Sequence, residues 1–488
     1  MADREAATGT PSCFSGLASV REVGGPCTRG IAGCFHEGVS PTIDTPLSEA
    51  NRGPQTPVHK STDEWIKTDA IPFSLDSPAS IDAGVDRIVG MLGGSVELLG
   101  FGEALHGSEE ILLIRNRLFQ RLVAAHGYSA VVIEVTSPQA RAINEYVLGA
   151  RESTDPAVQE WFSTGFGALD ANRELIEWLR EYNRRPANSA KLHFYGFDIP
   201  LGQGSLASPS RVLDIVLDYL DRVDGEVARA HRERMSPLLG ETRDWEKPEA
   251  WYDPSQSIGV SAQAAELRLA TLDLITELRI RRPELTAKSD PLAFADALHH
   301  AELARKLLEA HAALAKPGAY ATMLGVRDLI MADNLEHFLT LERGRGKVLV
   351  FSAAGHLTRG LMQWQLPPEP GVKEWWPAGS QVAQSLGSRY AAIAMALGVS
   401  EPNGIAEPEP GTVEARLMGA GEALFIPTHR EQGLPAAELE AAPVRSGSSL
   451  NPTYYTLTPR SFREFDALVF LASTSYPRGA QPLTSWNV

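Results

Sequence analysis

VELLGFGEALHGSEEILLIRNRLFQRLVAAHGYSAVVIEV, residues 96–135, decides how the chain is built. A short apolar run, VELLGF at 96–101, stops at a glycine, and a second, SAVVIEV, fills 129–135. Between them Ile111, Leu112, Ile114, Leu118, Leu122 and Val123 recur at helical spacing across 109–126. Short runs of Val, Leu, Ile and Phe without polar alternation predict strands covered on both faces, and the stripe between them predicts an amphipathic helix. Strand, helix, strand implies parallel pairing through a right-handed crossover. Outward from this unit the same runs return at 191–197 (KLHFYGF), 347–352 (KVLVFS), 389–397 (RYAAIAMAL), 421–426 (GEALFI) and 467–472 (ALVFLA). The expected fold is therefore α/β, with a largely parallel central sheet flanked by helices.

One block interrupts the alternation. Residues 208–342 show helical patterns alone, at 209–236, 260–281, 292–314 and 319–342, and the Pro- and Gly-containing stretch 237–259 reads as a loop or hinge. An inserted all-helical cap subdomain is expected there, carrying Trp245 and Trp251 on its hinge. Residues 61–207 and 343–488 then form the α/β catalytic core. Residues 1–60, with PSCFSG, GGPCTRGIAG and NRGPQTP, read as an N-terminal extension without a packed core. A length of 488 residues predicts roughly two to three domain-sized units.

Charge and cysteine usage narrow the function. Asp and Glu outnumber Lys and Arg by 61 to 45, a net charge of −16 that repels phosphate backbones and anionic lipid, so no nucleic-acid partner is expected. No apolar run is long enough to span a bilayer, and MADREAATGTPSCFSG lacks a basic segment leading into an apolar one. A cytoplasmic location and no membrane partner are expected. Cys13, Cys27 and Cys34 all fall in the extension. A thiolate nucleophile, a disulfide and a Cys-ligated zinc are thereby excluded from the body of the chain.

In a parallel sheet, ligands bind beyond the carboxyl ends of the strands. The first run leads into Gly102-Glu103-Ala104-Leu105-His106-Gly107, the second ends at Glu134, the third at Asp198 and the fourth at His356. Singly, Asp198 or His356 could be an ordinary capping residue. Glu103 with His106 is more telling: glycines on both sides leave room for a substrate, and three-residue spacing across a helix start puts both side chains on one side. A histidine beside carboxylates is poised for proton transfer near neutral pH, and two carboxylates in one cleft separate in pKa. Other site types are missing: no Gly-x-Ser-x-Gly and no His-Glu-x-x-His occurs. His299, His300 and His311 share a predicted helix without metal-ligand spacing, and Gly344-Arg345-Gly346-Lys347 precedes a strand and predicts a turn. No metal and no cofactor is expected, and the partner is a small-molecule substrate.

These residues resemble the erythromycin esterase family. The likeness is carried by Phe101-Gly-Glu-Ala-Leu-His-Gly107, Ala130-Val-Val-Ile-Glu-Val135, Glu174–Asn183, Phe194-Tyr-Gly-Phe-Asp198, Arg327-Asp328 and Met331–Asn334, and runs from roughly 80 to 475. It implies metal-independent opening of an ester or lactone, as of a macrolide, with His106 activating water, Glu103 and Glu134 as its charge partners and Arg327 as a cation facing the cleft. His356 with Arg327 would stabilise the oxyanion. Asp198 and Trp251 are the further substrate-binding candidates. Where the family carries His-Asn-x-His, this chain has Ala353-Ala354-Gly355-His356 and keeps the second histidine alone. Three readings follow: an esterase-like hydrolase, linked to antibiotic resistance or biosynthesis; a biosynthetic cyclase or lyase using the same His/Glu pair; and a binding protein that sequesters a hydrophobic ligand.

Overall fold

The apolar runs form the strands they predict, and the pleat of each strand decides which layer its side chains join. A computed structural model describes residues 61–152, 163–188, 190–202, 204–365, 371–448 and 450–480. The expected N-terminal extension lies outside these residues. In chain order the strands are β1 (Ile71–Pro72), β2 (Leu98–Glu103), β3 (Tyr128–Thr136), β4 (His193–Asp198), β5 (Lys347–Ala353), β6 (Met362–Trp364), β7 (Lys373–Trp375), β8 (Tyr390–Val399), β9 (Ala423–Pro427) and β10 (Ala467–Ser473). All but β6 and β7 make one eight-stranded sheet, ordered β1-β9-β10-β8-β2-β5-β3-β4. Pairing is parallel from β10 through β4, and β9 runs antiparallel to both of its neighbours.

The sheet is buried on both faces. Leu99, Phe101, Val131, Ile133, Leu349 and Phe351 join one core, whereas Leu98, Val132, Val348 and Val350 join the other. Alternate residues of one apolar run thus feed opposite layers, which explains the lack of polar alternation. Helices α2 (Pro78–Leu92), α3 (Glu109–His126), α4 (Ser137–Val147) and α5 (Asp170–Arg184) cover the first face, following α1 (Thr62–Asp69).

The block from 208 is helical, as expected: α6 (Ser210–Val223), α7 (Gly225–Leu239), α8 (Ala262–Ile280), α9 (Arg282–Lys288), α10 (Pro291–Leu314) and α11 (Tyr320–Leu341). The single helix expected at 209–236 is two, because Asp224 caps α7 by accepting from the amide of Val227. The expected hinge is packed: Trp245 is buried and its Nε1 donates to the carbonyl of Leu239 at 2.6 Å. This block has its own apolar cluster, yet Met331, Ala332, Leu335 and Phe338 of α11 pack on the second face of the sheet. Sharing α11 joins the helical block to the sheet.

β3 carries a bulge that matters for the site. Ile133 pairs with Gly196 and Thr136 with Asp198, so β3 spends one extra residue across this interval. The bulge lies tight on β4, where a Cβ added at Gly196 would sit 2.5 Å from the carbonyl oxygen of Val135. Gly196→Ala is therefore expected to destabilise the fold by about 1–3 kcal/mol through overpacking, read from the urea unfolding midpoint. An unchanged midpoint would show that the bulge has room to move.

Candidate active site

β2 ends at Glu103, and Ala104–Ser108 make a loop before Ser108 caps α3 through its hydroxyl. His106 therefore stands in a strand-to-helix loop, not at the helix start its spacing suggested. The loop still brings the two side chains together, with His106 Nδ1 2.6 Å from Glu103 Oε1. Bound there, Nδ1 donates and Nε2 is the nitrogen left for chemistry; His106 lines the cavity with its ring edge against Phe166. Gly107 holds φ +96°, a left-handed conformation that favours glycine. Gly102 has a different use from the one expected: a Cβ there would lie 2.8 Å from Cα of Ala354. The chain after β5 occupies that space, and no substrate can.

Burial pushes the Glu103 carboxyl up against the pull of His106. Burial alone would lower the His106 imidazole, but the charge and hydrogen bond of Glu103, joined by Glu134, carry it above its ordinary value. Both partners hold their shared proton more tightly than they would in water. The pair can accept a second proton at Nε2 and stabilise the resulting imidazolium against Glu103.

Glu134 is aimed from the bulge of β3. Its Oε1 accepts from Arg327 Nη2 at 2.9 Å, and its Oε2 from the Ala353 amide at 2.9 Å. Arg327, on α11, also grips Asp198 at the end of β4 through Nε and Nη2, at 2.8 and 2.9 Å. His356 lies in the helical turn after β5, with Nε2 3.4 Å from Glu134 Oε1 and Nδ1 2.8 Å from Asp328 Oδ1. Burial acts to raise Glu134, yet His356, His106 and Arg327 hold it well below the carboxylate range. His356 is pushed up to about 10, since Asp328 and Glu134 outweigh its burial. Asp198 and Glu134 likewise outweigh burial at Arg327 and raise it.

The cluster opens into a cavity of about 480 Å³. His106, Glu134, Asp198, Arg327 and His356 line one end, with Ala353 and Gly355 between them. The remaining wall is largely apolar and aromatic. Its apolar part comes from the β6–β7 pair (Met362, Trp364 and Trp375), from Phe166, and from Tyr454 and Tyr455, and its polar part includes Thr453, Thr458 and the Arg460–Glu464 pair. The expected cap supplies one lining side chain, Arg327. Trp251 is not in the wall: its Nε1 donates to the carbonyl of Gly204 at 3.0 Å, and its ring meets Tyr320 edge-on. Trp251 packs the helical block and does not face the cavity.

Several contributors were not foreseen. The His106 loop is held from the far end of the chain: His106 N donates to Thr453 Oγ1 (3.0 Å), and its carbonyl accepts from Asn451 Nδ2 (2.8 Å). The carbonyl of Gly107 accepts from Asn403 Nδ2 (2.9 Å), and that of Ala104 from the Tyr455 amide (2.7 Å). Nothing local in NPTYY announces such contacts. Arg115 did leave a signal, a charge on the buried face of α3 beside Ile111, Leu112 and Leu118. It is fully buried, burial pulls it down to about 10 against the attraction of Glu103, and it is bound by Asn116 and Asn172.

Glu103, His106 and Glu134 place ligand-type atoms within 4.8 Å of one another, the one such group among the described residues. Their chemistry fits a cation poorly. Glu134 already binds Arg327 and faces His356, and Nδ1 of His106 is committed to Glu103. An entering ion would meet two positive groups held against the same carboxylate. Among the described residues no helix is long and apolar enough to cross a membrane.

Comparison with known proteins agrees with this architecture. A Bacillus cereus protein of known structure is similar with a TM-score of 0.67 at 18% identity, covering 86% of this chain and 98% of its own. A succinoglycan biosynthesis protein is similar with a TM-score of 0.66 at 18% identity, over 87% of this chain and 99% of its own. A mutant of the erythromycin esterase EreC in its open conformation gives 0.61 at 18% identity, over 80% and 94%. These likenesses concern the fold. The family model for erythromycin esterase matches residues 123–474, a stretch that holds Glu134, Asp198, Arg327 and His356 and follows Glu103 and His106. With most of the chain inside that match, the protein belongs to the erythromycin esterase family.

Proposed function

We propose that the protein hydrolyses an ester or lactone in a neutral, largely apolar small molecule, using water activated by His106 without a metal. The observation that carries this reading is the 2.6 Å contact of His106 Nδ1 with Glu103, which leaves Nε2 of a cavity-lining imidazole as the base. Family membership supports the esterase class, the chain has no Gly-x-Ser-x-Gly, and no cysteine is among the described residues.

Water held at Nε2 loses a proton as its oxygen attacks the carbonyl, and His106 becomes an imidazolium neutralised by Glu103. Negative charge then develops on the carbonyl oxygen. Arg327 lines the same end of the cavity, and no hydrogen bond to a described residue engages its Nη1, which makes it the cation available to that oxygen. His106 returns its proton to the leaving alkoxide, so the imidazole is regenerated. The cavity's charges are mostly paired within the protein: Arg327 with Glu134 and Asp198, and Arg460 with Glu464. That pairing favours an uncharged substrate lying against Trp364, Trp375 and Tyr454.

A second reading rests on Ala353. It offers only its amide, already given to Glu134, and no side-chain donor at the end of β5. The same dyad could deprotonate a substrate hydroxyl or C–H in a cyclisation or elimination. Product mass separates the readings: gain of one water supports hydrolysis, and an isomer or dehydrated product supports the second.

His106→Asn is expected to remain folded and to lose about 10²- to 10⁴-fold in turnover. A folded variant with near-normal turnover removes His106 from the chemistry. The pH profile follows from the same dyad. The base must be neutral and its pKa is raised, so kcat/KM should climb with pH through a value above the ordinary imidazole figure of about 6.5. Glu103→Gln removes the carboxylate and leaves burial, which favours the neutral ring, so this acid limb should move to lower pH. A limb that stays in place assigns it to another group. Exhaustive dialysis against a chelator should leave turnover unchanged; loss restored by one divalent ion would overturn the metal-free mechanism.

A further inference from the structure

Asp328 is fully buried on α11, beside Arg327, and is not part of the cavity wall. Its carboxylate nonetheless collects three donors. Oδ1 takes His356 Nδ1 at 2.8 Å and the Ala378 amide at 2.9 Å, and Oδ2 takes the Trp375 indole Nε1 at 2.6 Å. Trp375 belongs to β7, and its ring is a wall of the cavity. His356 therefore stands between two carboxylates, Asp328 at Nδ1 and Glu134 at Nε2. Both oxygens of Glu134 also accept from other donors, Arg327 and the Ala353 amide. Carboxylate oxygens only accept, so Nδ1 donates to Asp328, and a proton on Nε2 gives the ring the positive charge that its 3.4 Å approach to Glu134 calls for. Besides these carboxylates, Arg327 of α11 and His106 of the β2 loop also act on this ring.

We infer that Asp328 is a positioning residue that holds the ring of His356 doubly protonated, with Nε2 facing Glu134, and that Trp375 ties the β6–β7 hairpin to this arrangement. The hairpin wall on which substrate rests is thus joined, through one indole, to the charge that holds Glu134 in place. A cavity residue at 375 contributes twice, as an apolar surface and as a hydrogen-bond donor behind it. The kinetic consequence rests on the hydrolytic reading; the state of the His356 ring does not.

The test uses the full chain labelled with ¹⁵N at histidine, with a His356→Asn spectrum to assign the ring signals. In the parent protein both His356 nitrogens should stay protonated from about pH 6 to about pH 9, across and above the ordinary imidazole range. In Asp328→Asn, one should deprotonate within that range, with kcat falling at alkaline pH and KM little changed. A folded Asp328→Asn protein whose His356 signals match the parent overturns the assignment to Asp328. Trp375→Phe keeps an aromatic wall and removes the donor. It should lower kcat about tenfold, the size of one hydrogen bond to a charged group, with KM nearly constant. A change in KM with kcat intact would make Trp375 a wall only and overturn the hairpin link. If no ester substrate is ever turned over, the hydrolytic reading fails while the ring spectra still decide the role of Asp328.

Discussion

Everything in the site depends on how the negative charge of Glu134 is kept inside the protein. A buried carboxylate costs several kcal/mol unless it is paired and hydrogen-bonded. Here the compensation comes from three places: the guanidinium of Arg327 on α11, the Ala353 amide at the end of β5, and the imidazole of His356 one turn later. Each demands a backbone position. β5 must lie between β2 and β3, the bulge must turn Glu134 toward it, and α11 must cross the strand ends where Arg327 can reach both Glu134 and Asp198. The sheet order and the site are one solution to one electrostatic problem.

Two glutamates on the strands flanking β5 then behave differently for environmental reasons. Glu134 is saturated with donors and stays ionised, so it serves as a fixed charge. Glu103 has its close contact with a single imidazole, and burial raises its proton affinity. It can respond to a change in the protonation of His106. Separation of two like groups by their surroundings is how one cleft supplies both a constant charge and a responsive one.

Much of this was legible in the chain. Runs such as VELLGF and SAVVIEV state that their strands are covered on both faces, and the polar residues that follow them mark the edge where ligands bind. His106, Glu134, Asp198, Arg327 and His356 do line one cavity, and Glu103 stands behind His106. What could not be read has physical causes. β6 and β7 are three residues each, too short to show a period, yet they wall the cavity. Trp251 looked like a lid residue because aromatic side chains on a Pro-rich stretch serve either a ligand or a core, and composition does not distinguish them. Asp328 sat in plain view beside Arg327, but its importance comes from Trp375 and Ala378, partners that only the tertiary structure brings near. The three-residue spacing of Glu103 and His106 suggested a helix, and a loop achieved the same meeting.

Apart from the Glu103 contact and the Ser108 cap, the loop that carries His106 is held from far along the chain. Its shape is dictated by Asn403, Asn451, Thr453 and Tyr455, hundreds of residues later in the chain. During synthesis the ribosome releases the GEALHG segment early, and it must wait in solution for most of translation before those partners emerge. β2 waits as well, since both of its neighbours in the sheet, β5 and β8, come from the second half of the chain. Such long-range closure is slow and leaves apolar strands uncovered in the meantime. A nascent chain halted before Tyr455 can hold Glu103, His106, Glu134, Arg327 and His356 and still lack a formed His106 loop, so the site should assemble abruptly, with the last part of the fold.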